Sequence, residues 1–135
     1  SETKEGKFQN TVRVGKHSLI ADEPESVGGH DTGPTPYDYL NIALGACTSM
    51  TIRMYARRKG MALQHVSVDV THNKQHISEC DACEASATKR DVFRREVRLE
   101  GELSDEQRAR LLDIADKCPV HKTLHGSAVI ETALV

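Results

Sequence analysis

Apolar and polar positions alternate near the start of the chain, which is typical of β-strands. The segment FQNTVRVGKHSLIAD predicts two short strands, Phe8–Val14 and His17–Ala21. Gly15 and Lys16 lie between them and suit a tight hairpin turn with glycine at its first central position. The three Gly and two Pro between residues 23 and 35 then predict a loop.

The pattern changes at GPTPYDYLNIALGACTSM, where almost all charge disappears. Thr35 as the N-cap, Pro36 at the first helical position and Asp38 as the capping-box partner predict a helix that begins at Pro36. Gly60 predicts where this helix ends. Because Leu40–Met50 is apolar on nearly all sides, we expect a long, central, buried helix.

Two further strands are predicted after this helix. The segment LQHVSVDVTH alternates Val66, Val68 and Val70 with polar residues, and VFRREVRLEGEL resumes the same alternation. The polar stretch Thr71–Asp91 between the two segments predicts either a long loop or an extended hairpin.

Two shorter helices follow these strands. Ser104 and Gln107 have the spacing of a capping box and predict the start of a second helix. Pro119 cannot continue that helix but is favoured at the first position of a new one, so Cys118 is the predicted N-cap of a short helix that reaches Leu124. SAVIETALV predicts a closing strand. The order β-β-α-β-β-α-α-β favours an α+β fold over a doubly wound parallel sheet.

Length and composition limit the class of protein. A chain of 135 residues predicts a single domain over residues 1–135. The net charge of -2 and the scattered Lys and Arg lack the basic patch of a nucleic-acid-binding protein. No apolar run could span a membrane and no signal-peptide core is present, so we expect a cytoplasmic protein without a nucleic-acid or membrane partner.

Four cysteines carry the candidate chemistry, and in a cytoplasmic chain they favour redox, metal-binding or inert buried roles over a disulfide framework. At the N-cap of a helix the Cys118 thiol should be acidified, and His121 one turn later is a candidate cation. The alternative is that Cys118 packs as a small apolar residue. Cys47 lies on an apolar helix, where burial without a cation raises the pKa of a thiol. Whether Cys47 meets Cys118 does not follow from their spacing.

A second cluster lies in HNKQHISECDACE. His72, His76, Cys80 and Cys83 have the spacing H-x3-H-x3-C-x2-C and could form a tetrahedral zinc site. One local cluster is a weaker indication of a zinc site than two separated pairs of ligands. The acidic neighbours also favour exposure of this segment to solvent. A redox pair of Cys80 with Cys83 and a solvated loop are the alternatives.

Two of these motifs resemble those of the OsmC/Ohr family, and more narrowly of its OsmC-like branch. They are G-A-C-T-S-M inside the first long helix and C-P-V-H after the second, in a resemblance that covers nearly the whole chain. The resemblance implies an OsmC-like α+β fold of two intertwined subunits, with the long helices back to back and two sites at the dimer interface. The same branch also occurs fused to α/β-hydrolase domains, so the chain is either a standalone member or a domain of a larger protein.

The resemblance also implies a thiol-dependent peroxidase. Cys47 would attack an organic hydroperoxide, of apolar or fatty-acid type, and become a sulfenic acid. Cys118 would then resolve it as a Cys47–Cys118 disulfide, which an external dithiol reduces, so no bound cofactor is implied.

This sequence departs from the well-characterised peroxidases of the family at one position. There an acidic residue follows the loop proline, and an Arg from the N-terminal strands holds the reactive thiolate. Here Tyr37 follows Pro36, Asp38 comes one position later, and Arg13 is the only Arg of the N-terminal hairpin. The departure leaves an alternative open, a non-catalytic redox-sensing or small apolar ligand-binding protein on the same fold.

Overall fold

The computed structural model describes residues 1–3, 6–77, 88–126 and 128–134. Within them, strands and helices mix along the chain and the strands pair into two antiparallel two-stranded sheets, β1 with β2 and β3 with β4. The elements are β1 (Asn10–Val14), β2 (His17–Ala21), α1 (Pro36–Arg58), β3 (Ala62–Ile77), β4 (Thr88–Glu102), α2 (Asp105–Ala115) and α3 (Pro119–His125). The predicted α+β class is therefore confirmed.

The chain divides into two compact units, Ser1–Ile42 and Ala43–Val135. In the first unit the predicted hairpin is confirmed: Val14 pairs with His17 across a two-residue turn. Gly15 has a φ of +57°, which glycine adopts without strain at the first central position of such a turn. The first strand begins at Asn10, two residues later than predicted.

Both predicted capping boxes are present. At the start of α1, the Asp38 N–H donates to the Thr35 hydroxyl at 3.1 Å and the Thr35 N–H donates to the Asp38 carboxylate at 3.0 Å. At the start of α2, the Gln107 N–H donates to the Ser104 hydroxyl and the Gln107 side chain accepts from the Ser104 N–H. These bonds satisfy N–H groups that have no partner inside a helix, so both helices begin where the sequence predicts.

The second unit is built on the β3–β4 hairpin. Of the two alternatives for the polar stretch, the extended hairpin is correct, because pairing continues to Ile77 and Thr88. Near the other end the register shifts between Leu63 and His65. Gly101 lies at this shift with a φ of +133°, and a Cβ there would come within 2.1 Å of the Ala62 carbonyl oxygen. A glycine is therefore required where the ladder bends.

One face of α1 packs into the core of this unit. Six buried apolar residues form the core cluster, namely Ile52, Ala56, Leu63, Val66, Leu111 and Ala115. The opposite face of α1 is exposed, with Met50 70% and Met54 58% accessible. Within one chain, the helix expected to be buried on all sides is thus buried along one face. No helix in the described ranges has the length and apolar character needed to cross a bilayer.

The prediction of a closing strand after α3 is wrong. Residues 128–134 have no regular secondary structure. Their apolar side chains are open to solvent, with Val129 86% and Ile130 87% accessible. A strand needs a neighbouring strand to satisfy its backbone groups, and no strand of the described residues pairs with this segment.

Candidate functional site

Cys118 lies in the turn that joins α2 to α3. It is the N-cap of α3 with Pro119 at the first helical position, as predicted. Its N–H donates to the Ala115 carbonyl at 3.3 Å, and its own carbonyl accepts from the Lys122 N–H at 3.2 Å. The residue is fully buried, with 0% of its surface accessible. These bonds hold the Cys118 backbone at the start of α3.

Cys47 meets Cys118 from the middle of α1. Both are free thiols, Cys47 half-buried and Cys118 buried, and the two sulfurs interact through a hydrogen bond. The Thr51 hydroxyl donates to the Cys47 carbonyl at 2.7 Å. The same hydroxyl can hydrogen-bond the Cys47 sulfur, which favours the thiolate and opposes the rise in the pKa of Cys47. The fold thus brings together the two cysteines whose sequence separation left their contact open.

The two thiols hold their protons unequally. Burial raises the pKa of the Cys47 thiol, and its hydrogen bond with Cys118 raises it further. Burial also opposes ionisation of Cys118, but the bond from Cys47, the backbone N–H groups of His121 and Val120, and the Thr48 hydroxyl together lower the pKa of the Cys118 thiol. Two thiols that share a hydrogen bond lose their protons in two steps that belong to the pair rather than to either residue.

Arg95 contacts both segments that carry the cysteines, and the sequence analysis missed it. Its Nη1 donates to the Thr48 hydroxyl at 2.8 Å and to the Ala115 carbonyl at 3.0 Å, and its Nη2 donates to the Asp116 carboxylate at 2.6 Å. The side chain is 13% accessible. A signal was present in the sequence, because Arg95 shares its strand parity with Val97 and Leu99 and so falls on the inward face of β4.

His121 contributes to the site mainly through its backbone. Its N–H hydrogen-bonds the Cys118 sulfur and helps to lower the pKa of that thiol. Its ring is directed elsewhere, with Nδ1 3.7 Å from the Asp116 carboxylate and 3.5 Å from Nη2 of Arg95. The ring also stacks on His125 with 5.9 Å between centroids. The predicted role of the imidazole as a cation beside the thiol stays a prediction.

One cavity borders Cys47, and a second borders Arg95. A groove of about 510 Å³ runs along α1 past Cys47, lined mainly by small and apolar side chains that include Met50, Met54 and Pro119. A second cavity of about 430 Å³ lies beside Arg95 and His121 and also includes Phe93. An apolar molecule in the groove would approach Cys47, since the Cys118 sulfur is buried behind it.

The other predicted supporting residues belong to the Ser1–Ile42 unit. Arg13 is exposed on β1 and lines a shallow cleft with Ser1 and Thr11. Tyr37 is 42% accessible in the first turn of α1. The Asp38 carboxylate accepts from the Thr35 hydroxyl at 2.7 Å, so it serves to cap α1. Their predicted part in activating Cys47 stays a prediction.

The candidate zinc cluster lies largely outside the described residues, which do not include Cys80, Cys83 or the side chain of His76. His72 pairs with Asp91 at 2.8 Å and its ring lies 4.7 Å from that of Phe93. Over the described ranges, no three His, Cys, Asp or Glu side chains are grouped so that they could hold a metal ion. The zinc hypothesis stays a prediction.

Comparison with known proteins connects this geometry to a family. The family model for OsmC-like proteins matches residues 29–133. Among curated proteins none matches the sequence. The fold is similar to that of the OsmC-like protein from Mycoplasma pneumoniae, with a TM-score of 0.68, 19% identity and coverage of 87% of this chain and 79% of that one.

Two other solved structures with the same fold are named for organic hydroperoxide resistance. The protein OsmC from Legionella pneumophila has a TM-score of 0.60 at 17% identity, over 87% of this chain and 90% of that one. OhrB of Bacillus subtilis has a TM-score of 0.56 at 15% identity, over 88% and 91%. At these identities the likeness establishes the fold.

The unequal thiols predict a split titration. In a Cys80→Ser/Cys83→Ser background, the ultraviolet absorbance of thiolate should rise in two steps, the first below and the second above the pH at which an ordinary cysteine ionises. Cys47→Ala removes the S–H donor to Cys118, so the single remaining step should move to higher pH than the first step of the pair. A single step at the ordinary cysteine pH in both proteins would contradict the coupling.

Proposed function

The chain belongs to the family of OsmC-like proteins, and from that premise we propose that it is a thiol-dependent peroxidase that reduces organic hydroperoxides. One observation carries the proposal, the hydrogen-bonded pair of Cys47 and Cys118. Structures of the same fold that are named organic hydroperoxide resistance proteins support the choice of substrate class. Free thiols suit the reducing cytoplasm, which is the setting we propose.

The first step generates a nucleophile on the more accessible sulfur. In the proposed resting pair, the Cys118 thiol ionises before the Cys47 thiol and accepts a hydrogen bond from it, in line with the lowered pKa of Cys118 and the raised pKa of Cys47. Transfer of that proton from Cys47 to Cys118 yields a Cys47 thiolate facing the groove. The thiolate attacks the terminal oxygen of the hydroperoxide and the O–O bond breaks. The sulfur becomes a sulfenic acid, and the substrate leaves as an alcohol after the departing oxygen takes up a proton.

The second step protects the oxidised sulfur. The Cys118 sulfur attacks the sulfenic sulfur of Cys47, its thiol proton leaves with the hydroxyl group as water, and a disulfide forms. An external dithiol then reduces the disulfide by two successive exchanges: the first gives a mixed disulfide with the protein, and the second releases the reductant as its own disulfide and restores both thiols. No bound cofactor takes part in this cycle. The contact of the two sulfurs favours this resolution over further oxidation of Cys47.

The groove supports an apolar substrate. Its volume of about 510 Å³ is in the range of small-molecule sites, and its lining beside Cys47 is mainly apolar. Lys117 lies at its rim and is the one charged residue among those that line it in the described part of the chain. A hydroperoxide with a hydrocarbon tail, including one of fatty-acid type, would bury that tail against Met50 and Met54.

The raised pKa of the Cys47 thiol favours a second candidate function. A thiol that stays protonated reacts slowly, so the pair would act as a redox sensor, or the groove would hold a small apolar ligand without turnover. The two candidates differ in the number of hydroperoxide molecules consumed per protein. In a fixed time with excess dithiol, a peroxidase consumes many molecules of hydroperoxide, whereas a thiol that stays protonated consumes few.

The peroxidase proposal is tested by consumption of an apolar hydroperoxide in the presence of a dithiol. The wild type should turn over many times and Cys47→Ser should fall to the rate without protein. Cys118→Ser should lose activity during the assay, because its sulfenic acid has no resolving thiol in the chain and is oxidised further. Cys80→Ser/Cys83→Ser serves as the matched control and should keep wild-type turnover. Full activity of Cys47→Ser would contradict the mechanism.

A homodimer is part of the proposal, supported by apolar surface that one chain leaves open. Met50 and Met54 form an exposed apolar stripe on α1, and Val129 and Ile130 are exposed in the segment that lacks a strand partner. A second copy would cover the stripe and supply a partner strand, giving the intertwined arrangement of two subunits. The groove beside Cys47 would then lie between the two subunits, with the substrate tail held between Met50, Met54 and the partner.

Sedimentation at micromolar concentration tests the dimer. The wild type should sediment as a dimer, and Met50→Glu/Met54→Glu should sediment as a monomer, because two carboxylates would be buried against the partner. Leu112→Glu is the matched control, since Leu112 is 50% accessible on α2, away from the stripe. A monomeric wild type, or a dimer that the α1 substitutions leave intact, would exclude this interface.

A further inference from the structure

The contacts of Arg95 connect four elements around the cysteine pair. The residue extends from β4 and its guanidinium bonds Thr48 on α1, Ala115 and Asp116 at the end of α2, and approaches the ring of His121 on α3. We propose that Arg95 is a positioning residue for the thiol pair, acting through Thr48 and through the turn that carries Cys118. The inference rests on the proposed function for its consequence in catalysis, and on the contacts alone for its structural content.

The first arm of the proposal is Thr48. This residue is fully buried and directly follows Cys47. Its hydroxyl donates to the Leu44 carbonyl at 2.7 Å and accepts from Arg95. The same hydroxyl can also hydrogen-bond the Cys118 sulfur, which lowers the pKa of that thiol. A hydroxyl has one proton, which can go to Leu44 or to sulfur. The bond from Arg95 fixes the oxygen and polarises the O–H group, so the proton is available to Cys118 when that sulfur carries charge.

The second arm is the turn between α2 and α3. The Ala115 carbonyl accepts both the Arg95 guanidinium at 3.0 Å and the Cys118 N–H at 3.3 Å. Carbonyls at the end of a helix lack partners within it, and the guanidinium satisfies this one while the cation interacts favourably with the helix C-terminus. The side chain that bonds the Thr48 hydroxyl thus also bonds the carbonyl that accepts the Cys118 N–H.

The role of Arg95 is one of position more than of free charge. Its Nη2 donates to the Asp116 carboxylate, so the guanidinium is paired with a neighbouring anion. Among the described residues, Lys117 lines the groove beside Cys47, and the titratable groups in contact with Arg95 are Asp116 and His121. The planar guanidinium donates to the Thr48, Ala115 and Asp116 oxygens at once. The ammonium group of a lysine lacks this geometry, so Arg95→Lys should not keep all three bonds.

The experiment measures how easily the Cys47–Cys118 disulfide forms, independently of any peroxidase activity. In the Cys80→Ser/Cys83→Ser background, the full chain is equilibrated with reduced and oxidised glutathione, which gives the effective concentration of one thiol at the other. Arg95→Gln should lower this value by about tenfold or more, because both anchors of the pair are lost. It should also move the first thiolate step to higher pH.

Arg108→Gln is the matched control. Arg108 likewise donates to two backbone carbonyls, those of Leu99 at 2.8 Å and Gly101 at 3.1 Å, but these lie on β4 away from the cysteines. This variant should keep both the effective concentration and the pH profile. An equal loss in Arg108→Gln would overturn the proposal, since the effect would then reflect general destabilisation.

A double-mutant cycle tests the arm through Thr48. Thr48→Val should raise the first thiolate step, Thr48→Ser should restore it, and Arg95→Gln should add less than its own full effect in the Thr48→Val protein. Unchanged disulfide equilibrium and pH profile in folded Arg95→Gln would overturn the proposal; if that variant does not fold, Arg95→Lys takes its place. Absent hydroperoxide turnover in the wild type, with the Arg95 effects intact, would reject the peroxidase and leave the positioning role.

Discussion

The rotation of α1 about its own axis is the constraint on which the site depends. Its buried stripe repeats every four residues and consists of Leu44, Thr48, Ile52 and Ala56. Because successive residues of an α-helix are about 100° apart, burying Thr48 turns Cys47 to the edge of the packed face. There its sulfur contacts the buried Cys118 on one side and the groove on the other. A different rotation would either bury the thiol completely or separate it from its partner.

The one polar member of the stripe brings a second constraint. A buried hydroxyl must be hydrogen-bonded, and Thr48 finds its partners in the Leu44 carbonyl and in Arg95. Arg95 is itself largely buried, so it needs acceptors, which the end of α2 supplies. Satisfying these groups fixes the turn that carries Cys118. The hydrogen bonds that satisfy the buried groups of the core therefore also place the two thiols.

Local rules predicted most of the elements, and they failed where an element depends on partners that are not its neighbours in sequence. The capping boxes at Thr35 and Ser104 depend on residues three positions apart, so the sequence alone located both helix starts. Residues 128–134 have strand-like composition, but a strand depends on a neighbour that the pattern does not contain. The exposed side of α1 was missed for the same reason, because an apolar stripe predicts burial but does not identify the element that covers it.

For the site, the motifs located both cysteines and the cap at Cys118, yet spacing could not bring the two sulfurs together. Arg13 was selected because it lies in the N-terminal hairpin, and its role stays a prediction; the sequence analysis missed Arg95, which contacts both segments that carry the thiols. Strand parity with Val97 was the available signal. A charged residue at an inward position of a strand must find buried partners, and here those partners are the neighbours of the cysteines.

The most direct test of the thiol pair as a reaction unit is to map disulfides after oxidation by one equivalent of an organic hydroperoxide. Peptide mass spectrometry of the quenched wild-type protein should find the peptides of Cys47 and Cys118 linked within one chain as the main product. Sulfinic acid on Cys47 with Cys118 still a free thiol, or a main bridge between Cys80 and Cys83, would contradict a site built on the contact of these two sulfurs.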